Sequence, residues 1–297
     1  MLCLERVSKH YGDRSALCEL SLRVRAGEIY GLLGPNGAGK TTTINILCNL
    51  LQPDGGDIEI AGRPVSDATK PLIGVAPQEN LLYSGLTCAE NLDFFARLYG
   101  LSSSERRERL TVCLEAVNLS DRVHSVAGTL SGGMQRRLST AIALVHNPKL
   151  VVLDEPTTGL DIEARYDIWE LIRRLKRDGI TVLLTTHLLE EAERLCDRVG
   201  IIKQGQLLAE GTLKELRSCI PAEEIVTLQT SNADAAIARG QARGFSYRYY
   251  GNDLAFWLPH PMEWQDILDC FAGIQIDSIS RSPVRLEHVY VENIRQV

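Results

Sequence analysis

The sequence predicts an α/β fold followed by a small α+β domain, and three observations predict it. Strand-like and helix-like segments alternate early in the chain and again from Lys149 to Ile202, the order of a parallel sheet covered on both faces. Between these stretches, from Leu86 to about Val145, only helices are expected, so a helical insert splits the α/β core. After about Pro221 the order becomes β-α-β-β-α-β, that of a compact α+β unit.

The elements follow in order. "LCLERVSKHYG" and "ALCELSLRVRAGEIYGLLG" read as strands punctuated by turns at Gly12-Asp13 and Ala26-Gly27. "EIYGLLG" is mostly apolar, as in a strand buried on both faces. In "KTTTINILCNLL", Ile44, Leu47, Leu50 and Leu51 recur at helical spacing, and "QPDGG" stops the helix. "CAENLDFFARLYG", "SERRERLTVCLEAVNL" and "SGGMQRRLSTAIALVHNP" read as the helices of the insert. "KLVVLDEP", "TVLLTTH" and "VGIIKQGQ" read as strands separated by helices across "IEARYDIWELIRRLKRDG" and "LLEEAERLCDR". In the tail, "EEIVTLQT", "FSYRYYG", "LAFWLP" and "IQIDSIS" are expected strands, and "ADAAIARGQARG" and "MEWQDILDCFAG" are expected helices. Trp257, Trp264, Phe271 and the "YRYY" run read as the core of that unit, in preference to a regulatory ligand site.

Bulk numbers narrow the class. A chain of 297 residues supports one large domain or a large and a small one. A net charge of −6 argues against a general nucleic-acid binder. The eight cysteines are scattered with no CxxC, which favours single thiols over a disulfide or zinc framework. The charged N-terminus "MLCLERVSKHYGDR" does not read as a signal peptide. No apolar run approaches the roughly 20 residues that span a bilayer, so a membrane role would need another chain to span it.

"GPNGAGKTT", Gly34 to Thr42, joins a buried strand to a helix and fits the phosphate-loop pattern. Glycines let backbone N–H groups turn inward onto an anion, and the helix starting near Lys40 adds its positive end. Lys40 is placed to reach the β- and γ-phosphates, and Thr41 to offer a hydroxyl to Mg²⁺. "LVVLDEP" brings Asp154 towards the same metal, with Glu155 beside it to polarise a water. "LSGGMQRR" carries paired glycines at a helix start, a second anion-binding N-terminus with Ser131. Two γ-phosphate sites in one chain suggest a head-to-tail dimer, each copy capping its partner's ATP. "TTHLLEEA" puts His187 just past a strand, and "APQENLL" puts Gln78 after another.

Together these stretches resemble the ATP-binding subunit of an ABC transporter, over about residues 2 to 220 and in the family's order. The resemblance implies a P-loop NTPase cassette: a mixed sheet core with an antiparallel β part and a helical subdomain at about 80–147. Residues 1–220 would form the ATPase and 221–297 the α+β domain. It implies that Gly34, Pro35, Asn36, Gly37, Ala38, Gly39, Lys40, Thr41 and Thr42 hold the phosphates, and that Tyr11 stacks on adenine. Thr41, Gln78 and Asp154 would serve Mg²⁺. Glu155 is the expected general base, with His187 and Gln78 completing the catalytic set. Ser131, Gly132 and Gly133 would reach the partner's γ-phosphate, and Asp161 in "GLD" would line the dimer contact. Met134 stands where many members have glutamine.

That methionine and the tail "GIQIDSISRSPVRLEHVYVENI" are similar to the daunorubicin-resistance and nodulation-type exporters of drugs, lipids or polysaccharides. The implied protein is an ATPase subunit held at the cytoplasmic face of the membrane by a separately encoded polytopic permease. A homodimer and no nucleic acid are expected. Leu81, Leu82 and Tyr83 are expected to dock the permease, while at least two of Phe94, Phe95 and Tyr99 are expected in the helix core. An importer ATPase and a non-transport ABC ATPase acting on DNA or the ribosome are the competing readings. The second is disfavoured because the chain has one Walker A motif and no long coiled-coil insertion.

Overall fold

The computed structural model describes residues 1–295 and divides into two units, Met1–Glu210 and Gly211–Val297. The boundary falls ahead of the change of texture near residue 220.

In the first unit, β1 (Leu2–Tyr11) and β2 (Arg14–Val24) form a hairpin, and β3 (Ile29–Leu33) enters the core. The helix α1 (Lys40–Leu47) follows, then β4 (Gly55–Ile60), β5 (Arg63–Pro64) and β6 (Ile73–Ala76). The antiparallel sheet runs β2-β1-β4-β5. Its apolar residues, Leu4, Leu20 and Ile60 among them, share one buried cluster with Leu32 and Ile44.

α1 is shorter than its sequence pattern suggests. Asn49 adopts φ +52, its N–H bonds Ile46 O at 3.0 Å, and Leu50 N bonds back to Asn45 O at 2.9 Å. This left-handed closure satisfies the last carbonyls and ends the helix. Leu50 is thereby thrown outward and is 72 % exposed, a correction to its place in the apolar stripe.

The insert consists of α2 (Cys88–Leu98), α3 (Ser103–Ala116) and α4 (Gly132–Leu144). Reciprocal side-chain caps, Thr87 with Glu90 and Ser102 with Glu105, start α2 and α3. None of Phe94, Phe95 and Tyr99 is buried, which corrects the core expectation. Tyr83, Phe94 and Phe95 cluster edge to face, the first two with centroids 4.7 Å apart. Leu81 and Tyr83 are exposed beside them.

The core resumes with β7 (Leu150–Asp154), α5 (Ile162–Arg177), β8 (Thr181–Thr186), α6 (Leu189–Leu195), β9 (Arg198–Lys203) and β10 (Gln206–Thr212). The six-stranded sheet runs β10-β9-β3-β8-β7-β6, and the pairs β3–β8, β3–β9, β7–β8 and β6–β7 are parallel. β7 and β8 are buried along their whole length, as strands covered on both faces must be.

The second unit opens with α7 (Leu213–Ser218) and β11 (Glu224–Gln229), then α8 (Ala233–Ala242), β12 (Ser246–Tyr250) and β13 (Asp253–Leu258). It ends with α9 (Trp264–Cys270), β14 (Ser278–Pro283) and α10 (Leu286–Arg295). The antiparallel sheet runs β12-β13-β11-β14. Val226, Leu228, Leu254 and Phe256 pack on Ile267, Cys270 and Phe271. Near Trp257, Arg248 stacks over the ring at 4.5 Å and donates to Glu292 of α10 at 3.1 Å. Trp257 and Phe271 are buried as expected, whereas Trp264 and Tyr249 are exposed. The Trp264 ring lies 5.0 Å under Arg281 instead, a contact that exposure tolerates.

All eight cysteines are free thiols. No helix among the described residues is long and apolar enough to cross a membrane.

Candidate nucleotide site

The loop after β3 is shaped by two crowded glycines. Gly34 N donates to Thr186 O at 3.3 Å, and a Cβ on Gly34 would meet Ile202 O at 2.3 Å. Gly39 caps α1 with φ +112, where a Cβ would meet Ala16 O at 2.7 Å. Only glycine takes that conformation in that space. The loop backbone and the positive end of α1 therefore face one cleft of about 280 Å³.

Most residues singled out in the sequence line this cleft. The loop supplies Asn36 to Thr42, β1 supplies Tyr11, the segment after β6 supplies Gln78, and the end of β7 supplies Asp154 and Glu155. Gly34 and Pro35 act through their carbonyls, which accept from Lys40 Nζ at 2.7 and 3.2 Å. Tyr11 is half exposed and lines the cleft.

Glu155 is the centre of the charges. It follows β7 in the left-handed region, φ +46, held by its own N–H to Thr185 O at 3.0 Å. That conformation is costly for a residue with a Cβ. The carboxylate lies 3.5 Å from Lys40 Nζ and 3.1 Å from His187 Nδ1, and accepts from Thr158 Oγ1 at 3.2 Å. Burial pushes the Glu155 carboxyl up, but the His187 bond and charge, the Lys40 charge and the Thr158 bond outweigh it. They hold it below the usual carboxylate range. Asp154 accepts a hydrogen bond from Thr185 Oγ1.

Ser131, Gly132, Gly133 and Asp161 lie outside this lining. Ser131 Oγ accepts from Met134 N at 3.3 Å and caps α4, and Asp161 Oδ1 accepts from Ala164 N at 2.8 Å and caps α5. The two helix starts are neighbours, since a Cβ on Gly133 would come within 2.7 Å of the Ala164 Cβ.

The sequence reading missed several residues. Arg136 of α4 is buried, and its guanidinium donates to Pro156 O at 3.0 Å, Asp154 O at 2.5 Å, Gln78 O at 3.2 Å and also Pro77 O. One side chain thus joins α4 to the segments carrying Gln78 and Glu155. Glu191 of α6 is buried and accepts from Thr157 Oγ1 at 2.8 Å and Trp169 Nε1 at 3.2 Å. Burial raises its carboxyl, although the bonds from Thr186, Thr157 and Trp169 oppose the rise. Thr185 holds both Asp154 and the Glu155 backbone. The run of arginines after "LSGGM" was the one signal for Arg136; nothing local marked Thr185.

Thr41, Gln78 and Asp154 share the cleft and offer hydroxyl, amide and carboxylate oxygens. That hard donor set fits a divalent cation that also takes phosphate oxygens.

The sequence profile of the ABC transporter family matches residues 17–158. The linearmycin resistance ATP-binding protein of Bacillus subtilis strain 168 is 42% identical over 239 residues, covering 80% of this chain and 77% of that one. The Nod factor export ATP-binding protein I of Burkholderia orbicola strain AU 1054 is 48% identical over 208 residues, covering 69% and 68%. Among solved structures, the dimeric ATP-binding cassette MJ0796 in a post-hydrolysis state, bound to ADP and Pi, is similar with a TM-score of 0.64 and 30% identity. That match covers 71% of this chain and 98% of the other. The cbiO1 protein of Clostridium perfringens, part of the ABC transporter complex cbiONQ, is similar with a TM-score of 0.68, at 28% identity, over 73% and 90%. An intact phosphate loop, an acidic strand end and a histidine set on the neighbouring acid agree with those likenesses. The chain belongs to the ABC transporter family as an ATP-binding, ATP-hydrolysing subunit.

Proposed function

We propose that this chain energises an exporter of drugs, lipids or polysaccharides as one of two copies that close around ATP. A separately encoded polytopic permease holds the pair at the cytoplasmic face of the membrane. Relatives named for Nod factor export and linearmycin resistance support export over import. The observation that carries the hydrolytic part is the convergence of Lys40 and His187 on Glu155.

The chemistry follows from that convergence. Phosphates entering the cleft compete for Lys40 with Glu155 and with the Gly34 and Pro35 carbonyls. As Lys40 turns to them, Glu155 loses a neighbouring cation and becomes a stronger base. Its carboxylate takes a proton from the water that attacks the γ-phosphorus, and the bond to the β-phosphate oxygen breaks with its electrons staying on ADP. His187 Nδ1 keeps the carboxylate oriented, and loop N–H groups of Gly37 to Thr42 hold the phosphates. Thr41, Gln78 and Asp154 hold Mg²⁺, which neutralises phosphate charge when bound. The exposed starts of α4 and α5, with Ser131, Gly132, Gly133 and Asp161, cap the γ-phosphate held by the second copy. Leu81, Tyr83, Phe94 and Phe95 present the apolar surface for the permease.

Glu155→Gln is expected to lower ATP turnover by about 10²- to 10⁴-fold and to trap an ATP-bound dimer on a sizing column. Turnover at the wild-type rate would remove Glu155 from the role of base. Capturing the tagged variant with ATP from detergent-solubilised membranes is expected to bring a polytopic membrane chain. Ribosomal proteins or nucleic acid would favour a non-transport ATPase. In inside-out vesicles carrying the same complex with wild-type Glu155, ATP should drive cargo into the lumen; ATP-driven loss from the lumen would mean import.

A further inference from the structure

Arg14 has no part in the motifs that mark this family, yet it stands in the cleft. It opens β2 and pairs directly with Tyr11 across the turn at Gly12 and Asp13. Its guanidinium reaches the phosphate loop, with Nη2 3.3 Å from the position a Cβ on Gly37 would take.

The strand fixes this placement. Side chains alternate along β2, so Arg14 and Ala16 share a face, and both line the cleft. β2 is pinned to the loop just beyond. A Cβ on Gly39 would meet Ala16 O at 2.7 Å, Cys18 N donates to Gly205 O at 3.0 Å, and Gly205 N donates to Ala38 O at 2.8 Å. Arg14 therefore stands two residues from an anchor on the phosphate loop.

The guanidinium is also uncommitted. Lys40 is bonded to two carbonyls and paired with Glu155, and Arg136 is filled by backbone carbonyls. The Arg14 side chain makes no hydrogen bond or ion pair among the described residues, although Asp154 and Glu155 line the same cleft. A planar fork of donors beside a ring of loop N–H groups is complementary to a phosphate, which takes two parallel bonds from such a fork.

We propose that Arg14 binds the phosphate chain of the nucleotide, so that the β1–β2 hairpin reads both base, through Tyr11, and phosphates. The inference rests on the cleft being the nucleotide site. In consequence the hairpin contributes to telling nucleotides from nucleosides, and part of the affinity is sensitive to salt.

The test uses the full chain, with ATP, ADP and adenosine competing against a fluorescent ATP analogue, adenosine at millimolar concentration. Arg14 is exposed and without partners, so its replacement leaves the fold intact. Arg14→Ala and Arg14→Gln are expected to weaken ATP and ADP about ten- to hundred-fold, the size of a lost charge-assisted bond. Adenosine should be held as before, and Arg14→Lys should recover part of the loss. ATP and ADP binding within two-fold of wild type in both variants would overturn the proposal. So would an equal loss for adenosine, which would place the effect in the hairpin and not in a phosphate contact. Lys40→Ala separates the two levels. If it too binds ATP like wild type, the cleft is not the nucleotide site; if it loses ATP while Arg14→Ala does not, only the role of Arg14 fails.

Discussion

His146, just past α4, has one ring nitrogen satisfied and one not. Nε2 bonds the Ile73 carbonyl at 2.9 Å, so Nε2 carries the hydrogen, while the buried Nδ1 has no partner among the described residues. Adding a proton at Nδ1 would bury an unsatisfied N–H and a charge together. Burial accordingly pushes the imidazole down to about 4; the Ile73 bond opposes this and the Arg109 charge adds to it. The folded value lies below the unfolded one of about 6.5. His146 therefore contributes stability that is complete above that pH and is lost as the pH falls towards 4. The loss amounts to about 3 kcal/mol at most. Between pH 7 and pH 4.5, wild type should lose more stability in urea than His146→Gln; equal losses would show that the ring is not the cause. Nothing in "LVHNP" announces this, because the ring's neighbours lie far off in sequence: the Ile73 carbonyl, Arg109, and Tyr99, whose ring stacks on it with centroids 3.7 Å apart. By contrast Lys40, Asp154 and Glu155 were legible, since phosphate chemistry fixes residue type and spacing within a few positions. Arg136 was not, because its partners are carbonyls 18 to 59 residues away.

Among the elements, α1 shows how far an apolar pattern can be trusted. The stripe from Ile44 to Leu51 is continuous in sequence, but the left-handed turn at Asn49 breaks its phase. Leu47 is 1% exposed and Leu50 is 72% exposed, and the two should behave accordingly. Leu47→Ala is expected to cost about 2–5 kcal/mol and Leu50→Ala less than about 0.5 kcal/mol, measured by urea denaturation. Similar costs would mean that the helix continues. The central strands were readable because burial on both faces leaves an unbroken apolar run. The insert helices α2 and α3 were readable as helices. The aromatic face of α2 was not, since the same spacing serves a core or an exposed patch, and only the packing of α2 tells them apart.

At the scale of the molecule, the first unit holds two sheets and the second one, and each unit has an apolar cluster of its own. The alternation of the parallel core and the order from β11 to β14 were visible in the sequence, whereas the strands β4 and β5 and the helices α7 and α10 were not read, nor was the packing that joins distant segments. Within the first unit, Arg136 is the main such joint, linking α4 to the segments that follow β6 and β7. Arg136→Lys keeps the charge but cannot present donors in three directions at once. Each buried carbonyl left unsatisfied costs about 1–3 kcal/mol, so the variant should melt several degrees lower and hydrolyse ATP more slowly. A variant with wild-type melting and turnover would show that the joint is dispensable.

The partners of that joint have a genetic consequence. Pro77, Gln78, Asp154 and Pro156 meet the guanidinium through main-chain oxygens, which every amino acid carries. No codon change at those four positions can redesign the acceptor to suit a different side chain at 136. Suppressors of a defective Arg136 allele should therefore fall at codon 136 itself, as true revertants, at Asn80, whose side-chain Oδ1 lies 3.5 Å from Nη1, or far away as general stabilisers, and not among those four.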